Sequence, residues 1–168
     1  MSRAIESEVE QLALKLRDTP IESIAICLLH AYVNDVHERA VENIIRKHLP
    51  DVFISRSSEV APEFREYIRA TTTIINADVR PVVARYLQKI ENQLNNHGLE
   101  SELLLMQSSG GVYPFDAAKD KPVFMVESGP AAGVMAARYL GNMMSCDNLI
   151  SFDMGGTTAK AGMIENGK

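Results

Sequence analysis

The sequence predicts an α/β fold, a mostly parallel sheet with flanking helices. Three observations carry this. Short apolar runs without alternation, such as Ile24-Ala-Ile-Cys-Leu-Leu29, read as strands buried on both faces. Stretches of helical periodicity stand between these runs. The two kinds of segment alternate along the chain, the pattern of a parallel sheet crossed by helices.

Ile5, Val9, Leu12 and Leu16 recur at helical spacing with charges between them, which predicts an amphipathic helix over 3–17 that Asp18-Thr-Pro20 ends. The first strand follows at 24–29. Asn34-Asp35 can cap a second helix whose Ala40, Val41, Ile44 and Ile45 share a face, with Pro50 after its end. Val52-Phe-Ile-Ser55 is a second strand. Residues 63–70 read as a helix, and 78–96 as a longer one with Val82, Val83, Tyr86, Leu87, Ile90 and Leu94 on its stripe. Gly98 suits the position just past its end. Leu103-Leu-Leu-Met106 and Val123-Phe-Met-Val126 are the third and fourth strands. Ser128-Gly-Pro-Ala-Ala-Gly133 opens a helix to about Met143. A hairpin follows, with strands at 149–152 and 161–164.

With 168 residues, the chain is long enough for one ordinary domain with a sizeable core. A net charge of −5 without any Lys/Arg cluster argues against nucleic acid. The longest apolar run, 24–29, is too short to cross a bilayer, and no signal peptide is seen. Cys27 and Cys146 lie far apart in apolar segments, without metal-ligand spacing. They read as free thiols of a reducing, cytoplasmic compartment. The four histidines form no metal-binding pattern. His30, at a strand's carboxyl end, is the one worth testing, with a packed histidine as its other reading.

The chemistry concentrates after Leu149. The run Leu149-Ile-Ser-Phe-Asp153-Met-Gly155-Gly156-Thr157-Thr158 is a strand, a glycine turn and two hydroxyl residues, followed by a second strand. Glycines permit positive φ and close backbone approach. Turn amides can face an anion, threonine hydroxyls add donors, and Asp153 can hold a hydrated magnesium ion. This reads as a phosphate-binding hairpin. The other reading is a hairpin that uses glycine for turn geometry alone. Ser128 and Gly129 either cap a helix or offer its positive end to an anion. Glu127 is a catalytic or metal-linked carboxylate, or a solvated strand-end residue. Gln107-Ser-Ser-Gly-Gly111 is a ligand loop or a plain turn. Ligands of open α/β sheets gather at strand carboxyl ends, so 107–111, 127–129 and 153–158 are expected to converge.

Several segments, in this order, resemble the hydantoinase A/5-oxoprolinase family. They are Ala25-Ile-Cys-Leu-Leu29, Ser57-Ser-Glu-Val-Ala-Pro-Glu-Phe-Arg-Glu-Tyr67, Arg69-Ala-Thr-Thr-Thr73 with Asn76-Ala77, Met106-Gln-Ser-Ser-Gly-Gly111, Ser128-Gly-Pro-Ala-Ala-Gly133 and Phe152-Asp-Met-Gly-Gly-Thr-Thr158. The resemblance implies an actin-like (ribonuclease H-like) ATPase fold with two glycine-turn phosphate motifs. The Asp153 motif looks like the second, and no match for the first is found here. It further implies ATP and Mg2+ as cofactors, and a cyclic amide such as hydantoin, N-methylhydantoin or 5-oxoproline, activated by carbonyl phosphorylation. A hydantoinase B-type partner subunit or domain is implied too. Members often carry an aspartate where this chain has Lys160, so a metal role is not carried over to that position.

On this resemblance the chain is expected to be an internal piece of a longer enzyme. Residues 1–147 would be the later part of a first α/β domain, and 148–168 the hairpin that opens a second. Asp153 and Glu127 are the expected catalytic residues, Asp153 also the metal ligand. Gly155, Gly156, Thr157, Thr158, Ser108, Gly110, Gly111, Ser128 and Gly129 are expected around the cofactor. The isolated chain is expected to bind ATP weakly or not at all, and its exposed hairpin to self-associate or fray. The alternatives are a ketone-carboxylase-type subunit, a non-catalytic α/β interaction module and a sugar-kinase piece.

Overall fold

A computed structural model describes residues 3–99 and 101–168. The elements are α1 (Arg3–Arg17), β1 (Ser23–Ile26), α2 (Val36–His48), β2 (Phe53–Arg56), α3 (Ser57–Val60), α4 (Glu66–Asn96), β3 (Leu104–Met106), β4 (Val112–Pro114), α5 (Phe115–Asp120), α6 (Ser128–Met143), β5 (Leu149–Met154) and β6 (Ala159–Ile164). They form two compact units, residues 3–99 with 119–123, and residues 101–118 with 124–168.

In the first unit β1 and β2 pair in parallel, Ser23 opposite Phe53 and Ile26 opposite Arg56. The core is Ala13, Ile26, Ile45, Leu49, Val52 and Ile54, with Val9, Leu16 and Val41 packed on it. Helix α1 spans its expected residues, but its buried position is Ala13, whereas Ile5 and Leu12 are about half exposed. The true stripe runs Val9–Ala13–Leu16, where a small residue lets the helix approach closely. α2 has its expected extent, and Asn34 assists its start by accepting the Val36 amide at 3.1 Å.

The two helices expected at 63–70 and 78–96 are one 31-residue helix, α4, with Pro81 inside it. The β-branched run Thr71–Ile75 discourages a helix locally. Tertiary contacts override this. Arg69, Thr73 and Asn76 are fully buried, and Thr73 Oγ donates back to the Arg69 carbonyl at 2.7 Å. The α4 stripe is also rotated from expectation, for Leu87 and Ala84 are buried while Val82 and Tyr86 are exposed.

A buried polar network caps the carboxyl ends of β1 and β2. Glu38, with no exposed surface, accepts the Leu28 amide (2.9 Å), the Ser57 hydroxyl (2.6 Å) and the Ser58 amide (2.8 Å). Arg69 donates to Ser57 Oγ (3.1 Å), Glu63 O (2.9 Å) and Leu28 O (3.0 Å), and lies over the Tyr32 ring. Asn76 donates to Ser55 Oγ and Asp120 O, both at 3.0 Å, and accepts the Val123 amide. Buried charges persist only when their hydrogen-bonding capacity is met. The segments around Ser57, Arg69 and Asn76 meet in this network, which holds the loops and α4 to the strands.

The single mostly parallel sheet is not formed. Among the described residues there are three two-stranded sheets, and only β1–β2 is parallel. β3 and β4 form an antiparallel hairpin, Leu105 opposite Tyr113. The expected fourth strand is a 3-10 helix, Pro122–Met125. Pro122 lacks an amide donor, and the Ser108 amide and hydroxyl hold the Phe124 carbonyl (2.7 and 2.8 Å), which suits a tight turn rather than a ladder. β5 and β6 pair antiparallel from Leu149–Ile164 to Met154–Ala159, as expected for the hairpin. Cys27 and Cys146 are free, each half-buried. No described helix is long and apolar enough to cross a membrane.

Candidate functional site

The site lies within the second unit, between the start of α6 and the β5–β6 hairpin. Two glycines of different elements set the approach. A Cβ at Gly162 of β6 would lie 2.3 Å from Val134 Cγ2 of α6, and one at Gly141 of α6 would lie 2.3 Å from Leu149 Cδ1 of β5. The hairpin and the helix therefore touch backbone to side chain at two points. Between them is a cleft of about 270 Å³ whose polar lining includes Ser108, Glu127, Asp153 and Lys160.

Glu127 is not at a strand end. It caps α6 in the left-handed conformation (φ 63°, ψ 18°), and the Ala131 amide donates to its carbonyl at 3.3 Å. A non-glycine residue at positive φ is costly and is kept only where its surroundings fix it. Ser108 supplies that constraint, because its hydroxyl bridges the carbonyls of Phe124 and Val126 just before Glu127. The Ser108 hydroxyl thus lines the cleft but is engaged with backbone. Ser128 and Gly129 follow as the first helical residues. Helix geometry leaves their amides without intrahelical acceptors. Pro130 comes next, where a missing amide is harmless.

The hairpin tip does not use its two glycines for turn geometry. Neither Gly155 nor Gly156 has positive φ, so turn geometry does not require glycine at either. A Cβ at each would meet nothing within 4 Å. The chain's own packing does not require glycine there either. The tip's backbone hydrogen bond is Gly155 N–H to Thr158 O at 3.0 Å. Among the described residues the Gly156 and Thr157 amides have no protein acceptor, and the Asp153 carboxylate has no protein partner.

Of the expected site residues, the cleft brings together Ser108, Glu127 and Asp153, with Ser128 and Gly129 next to Glu127 in the chain. Gly155–Thr158 form the hairpin tip beyond Asp153. Gly110 faces the protein itself: its φ of 86° needs glycine, and a Cβ there would lie 3.1 Å from Met135 of α6. Gly111 would crowd the Gln107 side chain at 3.3 Å. Both shape the β3–β4 turn. Lys160 was not among the expected residues. It stands directly opposite Asp153 in the β5–β6 register, yet its ammonium pairs with Glu127 instead. Alternation along β6 carries the signal, since Lys160, Gly162 and Ile164 share the face turned to α6. No group of three or more His, Cys, Asp or Glu able to hold a metal is found among the described residues.

Comparison with known proteins now decides the family. The hydantoinase/oxoprolinase profile matches residues 69–168, and the hydantoinase/oxoprolinase N-terminal region matches residues 1–49. The chain belongs to the hydantoinase/oxoprolinase family. It is 36% identical to the 5-oxoprolinase of Saccharomyces cerevisiae over 97% of its own length and 12% of that protein's. It is 32% identical to caprolactamase subunit alpha of Pseudomonas jessenii over 90% of its length and 22% of the subunit's. The nucleotide-free structure of acetone carboxylase, an ATP-dependent carboxylation system, superimposes with a TM-score of 0.86 at 28% identity, covering 97% of this chain and 23% of that one. The chain thus spans about a quarter or less of the length of these family members. Among them are cyclic-amide hydrolases and subunits of multi-subunit carboxylases.

Proposed function

We propose that this chain supplies part of the ATP site of an enzyme that activates a cyclic amide carbonyl by phosphorylation and then hydrolyses it, as a hydantoinase or 5-oxoprolinase would. The observation that carries the reading is the hairpin tip. Gly155 and Gly156 are glycines that neither backbone geometry nor intrachain packing requires, and unengaged amides and a partner-free Asp153 lie beside them. Such a cradle suits a phosphate that approaches the backbone closely.

In this reading the amides of Gly156 and Thr157 and the hydroxyls of Thr157 and Thr158 bind the phosphate oxygens, and Gly155, whose own amide is held by the Thr158 carbonyl, lets the phosphate approach the backbone closely. Asp153 holds Mg2+ or orients the attacking water. Lys160 adds a positive charge in the cleft, and Ser128 and Gly129 present the positive end of α6 to it. Glu127 acts near the reacting group as a carboxylate. Bound ATP supplies a phosphoryl group that makes the amide carbonyl carbon a better target for water. Preorganised donors lower the cost of the developing charge. The cyclic amide, the Mg2+ and a hydantoinase B-type partner subunit or domain are parts of the same proposal, as is a second domain that opens with residues 148–168.

The acetone carboxylase superposition favours one second reading, an ATP-using subunit that activates a ketone for carboxylation. A turnover panel on the whole protein separates the two. Phosphate release from ATP is measured with 5-oxoproline, hydantoin, caprolactam, and acetone plus bicarbonate. Amide-dependent release that is lost in Asp153→Asn supports the first reading. Release only with ketone and bicarbonate supports the second, and release with none of them refutes both.

A further inference from the structure

We infer that Glu127 is an internal counter-ion of Lys160, a carboxylate that stands where an incoming anion binds and must be displaced by it. The inference rests on the proposed phosphate site and concerns how that site is regulated. Three features lead to it. First, the natural partner of Lys160 is Asp153, directly across the strand pair, where opposite charges stabilise a sheet. The ammonium ignores it and reaches Glu127 on a different element. Second, Glu127 is placed there at a conformational cost, in the left-handed region, by the Ser108 clamp on the Phe124 and Val126 carbonyls. Third, the pair adds little to stability, since the side chains of Lys160 and Glu127 are 37% and 63% exposed. A strained residue is therefore maintained for a contact that the fold does not need.

The charges facing the cleft are Glu127 from the α6 cap, Asp153 from β5 and Lys160 from β6. With Lys160 held by Glu127, its charge is cancelled and the cleft is net negative. A polyanion gains the ammonium only by taking the place of the Glu127 carboxylate. The released carboxylate then faces the bound group, next to the first amides of α6. Glu127 thus weakens resting anion binding, and it becomes free only when the site is filled.

The test is a double-mutant cycle on the whole protein, by calorimetry with inorganic pyrophosphate and separately with ATP, at fixed Mg2+ and ionic strength. Lys160→Gln removes a charge-assisted bond and is expected to weaken both probes on the order of tenfold or more. Glu127→Gln is expected to tighten both about two- to fivefold, the worth of an exposed ion pair. The decisive arm is Glu127→Gln combined with Lys160→Gln, where removing the carboxylate should tighten binding by clearly less than it does with Lys160 present, because only the general repulsion between carboxylate and anion is left to relieve. Lys160→Arg should restore most of the binding, and melting temperatures without probe should stay near the parent's. If Glu127→Gln leaves binding unchanged or weaker, or tightens it equally without Lys160, the counter-ion role is wrong while the phosphate site stands. If the parent protein binds neither probe, both are wrong.

Discussion

Replacing Gly162 by alanine tests how the cleft is built. The new methyl would lie 2.3 Å from Val134 Cγ2 and 2.8 Å from Ser151 Oγ, both far inside contact distance. Val134 is β-branched and on a helix, where one χ1 rotamer dominates, so it cannot turn away cheaply. The hydroxyl of Ser151 is itself tied to the Gly162 carbonyl at 3.3 Å. Relief therefore requires α6 and the hairpin to move apart. Overpacking of this kind costs about 1–3 kcal/mol, and two rigid neighbours put Gly162→Ala near the upper end. For a chain of this size that lowers the melting temperature by roughly 4–10 °C. Circular dichroism gives the melt, and hydrogen exchange of the β5–β6 amides localises the loss. Val134→Ala in the same chain should recover part of it. An unchanged melt, or exchange that rises only in the first unit, would refute the packing argument.

Gly156→Ala should do the reverse. With open space and ordinary φ the fold gains about 0.4–1 kcal/mol, through a less flexible unfolded chain, while ATP binding by the whole protein falls at least tenfold; destabilisation by more than 1 kcal/mol in the same melt would contradict this. Ser57→Ala removes the hydroxyl between Arg69 and Glu38 and should cost about 1–3 kcal/mol in urea titration, with no effect on ligand binding. Burial raises the Tyr113 phenol above its ordinary pKa of 10.0, so the unfolded chain releases its proton first as pH rises. Stability should be intact below pH 10 and decline through the folded-state value, and Tyr113→Phe should flatten that decline in melts across the alkaline range. The outward face of the hairpin exposes Ile150, Phe152, Met154 and Met163 (67–74% each), so sedimentation should show concentration-dependent self-association that Phe152→Glu abolishes.

Local pattern gave the α/β class, α1, α2, α6 and the final hairpin, because each has a periodicity or cap that needs no distant partner. The rest depended on contacts far along the chain. α4 was divided in two because Thr71–Ile75 is a poor helix in isolation, and what holds it is the burial of Arg69, Thr73 and Asn76 against loops up to 47 residues away. Residues 123–126 have the composition of a strand, but Ser108 claims the Phe124 and Val126 carbonyls and leaves no ladder. The cleft was half legible. Asp153 and Glu127 stand out by type and position, whereas Lys160 matters only once the register of β6 turns it toward α6.

The glycines show most sharply where sequence reading stops. Gly141, Gly155, Gly156 and Gly162 look alike in the sequence, and the tempting assumption is that the adjacent pair makes the turn. The structure divides them otherwise. Gly141 and Gly162 are there because the chain's own atoms fill the space a methyl would take. A Cβ at Gly155 or Gly156 would meet nothing within 4 Å, and neither has the positive φ that favours glycine. Glycine in the first case is explained by folding alone. In the second, folding gives no reason for it, and alanine would make a stiffer unfolded chain. In the proposed reading, a group outside the chain accounts for the missing side chains. The unengaged amides of Gly156 and Thr157 give that partner its chemistry in this reading, a group of acceptors pressed against the backbone, and Asp153 and Lys160 stand across the strands from each other beside the same tip.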